Sequence, residues 1–544
     1  MNTRQLQTDK NQKLYHALLG ILLVCALAMM MLLSYWACKY SYYGAVDGRT
    51  RGVLVGDKTW AHIAAFFAAS LCTMGIDKVL MKKDKSQQEK ICLCTLIVTS
   101  AIAFILGVFY VCKNPYYPEG DQINTTAFAA YCRDGNFSML SIGGYVGMYQ
   151  QQKGLAILYE ILFTLFGDFN YRPAKILHVV WWILTILAGY GFLKLNTDRP
   201  VFRMLYCVMM LGCFPLLFYL PYIYGDVLSI SFGIILFYGV AAYEHYGQKR
   251  YIALASFAAG LAVLARKNTW IVLVAVAVYV LLVSLRKKKV RYLMAGTAIL
   301  LTAALSVKAV DVIYEVRSGY PSGVGIPSIL WVAMGLQETQ GRAGVYNRYQ
   351  QATFTDYDCQ QELAAQQGKE YIRERLEEFS QDPGMAFDFF KNKMEGQWIE
   401  PMYAALESTE SFEEGAELSP VLESLYYGEL GRTIWKLTNY YQSILYLAGF
   451  MALVMLGILW WKKKEVPISL WLPWIAVFGG FLFSILWEAK SRYVFPYCVF
   501  MILYAPEGLY QTGLLLCKLP KLRKFKKSGH TQDKGEEAPL RETA

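Results

Sequence analysis

Apolar runs about 20 residues long recur from one end of this chain to the other, and short clusters of Lys and Arg close many of them. Such a run is what an α-helix needs to cross a hydrocarbon core about 30 Å thick. In lipid, backbone polar groups are satisfied only inside helices or closed barrels. The chain therefore reads as an all-α polytopic membrane protein. Composition agrees: of 544 residues, 55% are hydrophobic and only 17% charged, whereas a soluble chain carries about 25% charged residues. The net charge of +11 is not a nucleic-acid signal. The basic residues sit in short loops between runs and in the C-terminal stretch 518–527, as the positive-inside rule expects.

The basic punctuation fixes an expected topology of about twelve spans with both termini inside. The first five spans are read at 14–36, 60–80, 91–111, 173–195 and 204–222, and a sixth ends near His245. The seventh and eighth flank Arg266-Lys267-Asn268-Thr269 and end at 286–289. The ninth covers 292–310 and the tenth 442–461, and the last two flank 488–493. The chain divides into a two-span extension (1–90), a transmembrane module (91–310) whose first outer loop is 112–172, an extracytoplasmic segment (311–438), final spans (439–517) and a basic cytoplasmic tail (518–544). Within the loop, 154–166 is too short to span and suits an interfacial helix. Segment 311–438 holds about twice as many acidic as basic residues, consistent with an outside location. Helices are expected there at 360–381 and 385–398, parted by Asp382-Pro383-Gly384. With no organelle address, the expected location is a plasma membrane. The twelve cysteines show no metal spacing, and Cys132 and Cys359 are the pair that outer loops would allow.

Placed on this topology, Glu119, Asp121, Asp226, Arg266, Lys267, Glu488, Lys490 and Arg492 all fall at the outer ends of spans. Charges at a membrane boundary are costly unless solvated or used. Each also has a bland reading. Asp121 and Asp226 precede helical runs and suit caps. Glu488 and Arg492, four apart, suit a helix-end pair. Tyr493 suits an interfacial aromatic. Two cations at an outer hairpin, Arg266 and Lys267, run against the positive-inside trend and suit a phosphate or diphosphate headgroup.

At these residues the chain resembles the GT-C superfamily of polyprenyl-phosphate-sugar-dependent glycosyltransferases, which includes protein mannosyltransferases and aminoarabinose transferases. The likeness runs from the acidic loop (Glu119-Gly120-Asp121) through Asp134-Gly135-Asn136-Phe137, Leu165-Phe166-Gly167 and Tyr171-Arg172-Pro173. It continues at Asp226, at Arg266 or Lys267, and at Glu488 to Tyr493. The chain departs from the pattern in its two extra leading spans, in Glu-Gly-Asp at the first motif and in its outer segment. The resemblance implies a GT-C-like fold and transfer of a sugar from a polyprenyl-phosphate donor to an extracytoplasmic glycan, lipid or protein, with inversion.

On that reading Asp121 is the catalytic base, with Glu119 as a helper. Asp226 orients the acceptor or a divalent cation. Arg266, Lys267 and Arg492 hold the donor phosphate, and Glu488 and Tyr493 complete the substrate site. No metal ligand set is assigned, and a divalent cation is the one candidate cofactor. Trp398 and Tyr403 are read as packing the outer segment rather than stacking on sugars. The rival functions are a transporter or flippase of lipid-linked sugars, and a polymerase or ligase using diphosphate-linked donors.

Overall fold

The structure is a computed structural model that describes residues 3–43, 53–321, 323, 325–464 and 466–529, with side chains described from Asn11 to Lys518 except at Tyr43. Among them the chain is almost wholly helical. Apart from loops and one isolated bridge between Tyr116 and Phe412, the rest is two small antiparallel hairpins, Tyr40–Tyr43 with Val53–Gly56 and Glu338–Thr339 with Arg342–Ala343. The basic side chains expected beyond Lys518 lie outside the described residues.

Nine described helices are long and apolar enough to cross a membrane: Asn11–Lys39, Thr59–Leu80, Lys85–Lys113, Arg172–Asn196, Asp226–Tyr246, Lys267–Lys287, Val290–Ser318, Glu429–Trp461 and Ile468–Leu486. Three further expected spans take other forms. Residues 204–222 are not continuous: Pro200–Leu211 ends and Phe214–Phe218 begins after a break at 212–213. Pro215 lacks the N–H that would have bonded back across that break. Lys249–Ala265 is a single helix of 17 residues. The last segment splits into Ser491–Met501 and Ala505–Gly529, again next to a proline, Pro506.

The expected segment boundaries at 90, 310, 438 and 517 all fall inside continuous helices: Lys85–Lys113, Val290–Ser318, Glu429–Trp461 and Ala505–Gly529. Hydropathy falls where a helix leaves the bilayer, but the hydrogen-bond ladder continues. The N-terminal pair of helices packs on the C-terminal ones. The first helix packs on Glu429–Trp461 and the second on Ala505–Gly529. Small residues let these helices approach closely, as lipid-embedded packing favours. A methyl group added at Gly508 would lie 1.8 Å from the carbonyl oxygen of Ala448, and one at Gly513 would lie 2.4 Å from that of Ser70.

The two large loop segments meet at one end of the bundle. Tyr117 N donates to Ser411 O at 3.0 Å, Glu413 N to Pro115 O at 2.9 Å and Ile326 N to Met148 O at 3.0 Å. Below them, Lys175 Nζ donates to Tyr116 O at 2.7 Å. The short helix is present as Lys153–Phe166. Lys153 is ion-paired to Asp311, and Glu160 to Arg317 at 2.7 Å, which straps it to Val290–Ser318. The two outer-segment helices appear as Gln361–Gln381 and Pro383–Trp398, and Asp382 caps the second by accepting from Met385 N at 2.9 Å.

The glycine contacts give a paired expectation. Gly508→Ala forces backbone apart and lowers stability by about 1–3 kcal/mol. Gly75→Ala, with nothing within 4 Å of the added carbon, leaves the thermal midpoint unchanged or higher. Thermal unfolding of both variants in detergent checks the contrast.

Candidate functional site

A cavity of about 1120 Å³ lies between the loop segments and the ends of the spans. Its walls include Glu119 and Asp121 from the first loop, Arg266 and Lys267 from one helix-to-helix turn, and Glu488, Arg492 and Tyr493 from another. Seven of the eight side chains expected from the sequence, spread over more than 370 positions of the chain, thus reach one space.

The eighth, Asp226, lies beneath it. Asp226 is 1% exposed and opens the helix Asp226–Tyr246, with Gly225 as its cap residue and no side-chain capping bond. Its carboxylate is ion-paired to Arg266, and Arg492 Nε lies 3.9 Å from the same oxygen. Its other oxygen has no hydrogen-bond partner. The capping reading therefore does not hold. The geometry also puts Asp226 behind two arginines rather than in contact with the cavity.

Tyrosines complete the support. The Arg492 guanidinium bonds Tyr222 OH and lies 5.3 Å from the Tyr224 ring and 5.5 Å from the Tyr493 ring. Arg266 lies 5.5 Å from Tyr224 and 5.4 Å from Tyr493. Each cation is thus fixed by an acid and by aromatic faces. Tyr493 is a spacer between the two arginines rather than an interfacial anchor. Lys267 is exposed, with Nζ 3.5 Å from Ser328 Oγ.

The acidic groups face these cations in two different settings. Asp121 begins the helix Asp121–Arg133, after Gly120 in the left-handed region (φ 55°), and makes no side-chain cap. Its carboxylate instead accepts from Tyr145 OH at 2.8 Å. Burial and the adjacent Asp121 push the Tyr145 hydroxyl well above its ordinary range, so it stays a donor. Asp121 and Glu119 are both exposed to the cavity. Glu488 is 7% exposed, and burial lifts its carboxyl to about 7 against the opposing pull of Lys490. It does not pair with Arg492. Tyr493 OH donates to it at 3.4 Å, and Arg492 turns to Asp226 and Tyr222.

Among the described residues no three His, Cys, Asp or Glu side chains converge in a way that could hold a metal ion. Asp226, the residue assigned to a cation from sequence, is committed to arginine. Cys132 and Cys359 are free thiols. Trp398 is fully buried, donating from Nε1 to Ser484 Oγ at 3.0 Å, and Tyr403 is 4% exposed against Phe495; both pack the segment onto the spans rather than within itself.

A smaller groove of about 250 Å³ shares Lys267, Met148 and Gln151 with the cavity. It runs between helices and is lined by Val263, Leu264, Trp270, Val307 and Val310, together with the polar Gln150, Lys153 and Asp311. Sequence reasoning did not single out Tyr145, Tyr224, Gln152 or Glu407 as part of the site. Gln152 Nε2 donates to Tyr224 OH at 2.6 Å and holds that ring under the arginines. The clustering of Tyr222 and Tyr224 just before Gly225-Asp226 was the available signal.

Comparison of the chain with protein-family models, with curated proteins and with solved structures gives no match.

Asp226→Ala leaves two buried guanidiniums without their shared counter-charge, and is expected to cost about 3–5 kcal/mol. Asp121→Asn, at an exposed position, is expected to stay within about 1 kcal/mol of wild type. Chemical or thermal unfolding in detergent separates the two.

Proposed function

We propose that the protein is a membrane glycosyltransferase that moves a sugar from a polyprenyl-phosphate donor to an extracytoplasmic acceptor. The observation that carries this is the cavity in which carboxylates and a cluster of cations face one another, next to a partly apolar groove between helices. On this reading the chain crosses a plasma membrane about twelve times, counting the broken and short segments, and the cavity faces away from the cytoplasm, as the basic loops suggest. The GT-C-like arrangement read from the motif order is part of the same proposal.

The division of labour follows from charge and burial. The lipid tail lies in the groove lined by Val263, Leu264 and Trp270, and Lys267 stands where its phosphate would emerge. Arg266 and Arg492 share one acid, so the pair keeps a surplus positive charge toward the cavity. That surplus stabilises the negative charge that grows on the departing phosphate. Asp121 removes the proton of the acceptor hydroxyl. The oxygen lone pair forms the new bond to the anomeric carbon. The bond to phosphate breaks, with its electrons passing to the phosphate oxygen. Tyr145 aims the Asp121 carboxylate, and Glu119 adds negative charge beside it. Asp226 acts as a positioning residue for the two arginines. All these charges come from span ends rather than mid-span depth, where a transport path would place them.

Two measurements test the reading. In proteoliposomes supplied with a panel of polyprenyl-phosphate and polyprenyl-diphosphate sugars, Asp121→Asn should lower turnover about 100-fold or more while donor binding persists. Undiminished turnover would remove Asp121 from the role of base. Transfer only from diphosphate donors would favour the polymerase or ligase reading, and no turnover from any donor would favour transport. The second is a pH profile. A carboxyl at about 7 is half ionised at neutrality, so wild-type turnover should change with an inflection near pH 7 that Glu488→Gln abolishes. Persistence of the inflection in that variant would assign it to another group.

A further inference from the structure

Beside the main cavity lies a second, of about 780 Å³. The two share Glu488 and Lys490, together with Tyr346, Arg348 and Glu407, so the 488–490 turn forms the partition between them. That turn is clamped to the outer segment: Ala489 N donates to Gly344 O at 2.7 Å. The far wall comes from the helix Pro383–Trp398, the 338–343 hairpin and Tyr42 of the first hairpin. It is firmly built. Lys393 is 1% exposed and donates to Gly335 O at 2.5 Å, and the Arg342 guanidinium lies 6.0 Å from the Tyr42 ring.

The lining selects a ligand class. Four basic side chains (Arg342, Arg348, Lys393, Lys490) stand against four acidic ones (Glu395, Glu400, Glu407, Glu488), so the chamber has no formal preference for a charged ligand. Between them lie amides, among them Asn347 and Asn392, beside the rings of Tyr42 and Tyr346. Glu395 Oε1 is buried without a hydrogen-bond partner, 3.8 Å from Lys391 Nζ. Two common modes of peptide recognition use a strand edge or an apolar groove. Here the hairpin strands are two residues long, and aliphatic lining is confined to Leu54, Val345 and alanines. Aromatic rings that carry polar handles, set among amides and carboxylates, suit a ligand with apolar ring faces and many hydroxyls. The volume lies within the range of small-molecule sites.

We propose that this second chamber is the acceptor subsite, that it takes a neutral, hydroxyl-rich oligosaccharide chain, and that the reacting end of that chain passes Glu488 into the main cavity. The inference rests on the glycosyltransferase reading and names its acceptor. Glu488 accepts a hydrogen bond from the incoming hydroxyl, and the amides and Glu395 hold the units behind it.

The test uses the full-length protein in detergent, applied to arrays of neutral oligosaccharides and of peptides of matched length. Binding of polyprenyl phosphate is measured on the same preparations. Wild type should retain oligosaccharides. Asn392→Trp, which fills the chamber from an exposed helix position, should lower that signal about 10-fold or more (~1.4 kcal/mol). Arg342→Ala, the second variant, should do the same, and polyprenyl phosphate should bind all three proteins. Preference for peptides, oligosaccharide binding unchanged in Asn392→Trp, or polyprenyl phosphate binding without any oligosaccharide signal would each overturn the chamber. Oligosaccharide binding that Asn392→Trp abolishes, in a protein that ignores polyprenyl phosphate, would uphold the chamber and overturn the donor. Binding of neither overturns both.

Discussion

The buried charge of Asp226 holds this site together. A single carboxylate, closed off from water, lies within reach of two guanidiniums carried by elements far apart in sequence. Without it, Arg266 and Arg492 would repel one another at close range and in low dielectric. With it, they become neighbours, and their orientation is over-determined by Tyr222, Tyr224 and Tyr493. The arrangement registers the helix Asp226–Tyr246 against the turn at Arg266 and the helix Ser491–Met501. The cationic wall of the cavity is thus a by-product of how these helices lock.

The facing carboxylates are differentiated by burial rather than by residue type. Among the described residues Tyr145 OH is the one that donates to Asp121 in the open cavity, and Glu488 sits in a partition whose burial raises its carboxyl to about 7. The turn after Ile468–Leu486 tucks Glu488 under segment 311–438 and ties Ala489 to Gly344.

Much of this was legible in the sequence, for identifiable reasons. Long apolar helices announce themselves because lipid tolerates no other run, and the nine described helices long and apolar enough to span appear where hydropathy placed them. The breaks at 212–213 and 502–504 were missed, because a 20-residue average conceals a proline such as Pro215 or Pro506. Charged site residues were legible because a charge at a membrane boundary is costly, so Arg266 and Glu488 stood out. Tyr145, Gln152 and Glu407 did not, because an uncharged polar side chain or an acid in an acidic loop costs nothing there and leaves no trace. The cap readings of Asp121 and Asp226 failed for a related reason. A Gly-Asp step before an apolar run has the same local chemistry whether the carboxylate turns back to the backbone or outward to Tyr145 or Arg266.

The segment that roofs the cavity is tied to the span ends by Ala489 N to Gly344 O and by Trp398 Nε1 to Ser484 Oγ. It is carried between Val290–Ser318 and Glu429–Trp461, helices of 29 and 33 residues. At 1.5 Å per residue these are roughly 43 and roughly 50 Å long, well beyond a hydrocarbon core of about 30 Å. Each is therefore both membrane anchor and bracket. A helix that overshoots its bilayer answers a change in thickness by tilting, and a tilt at the anchor becomes a displacement at the bracket. In a bilayer, a change of thickness would therefore bear on the segment above the cavity.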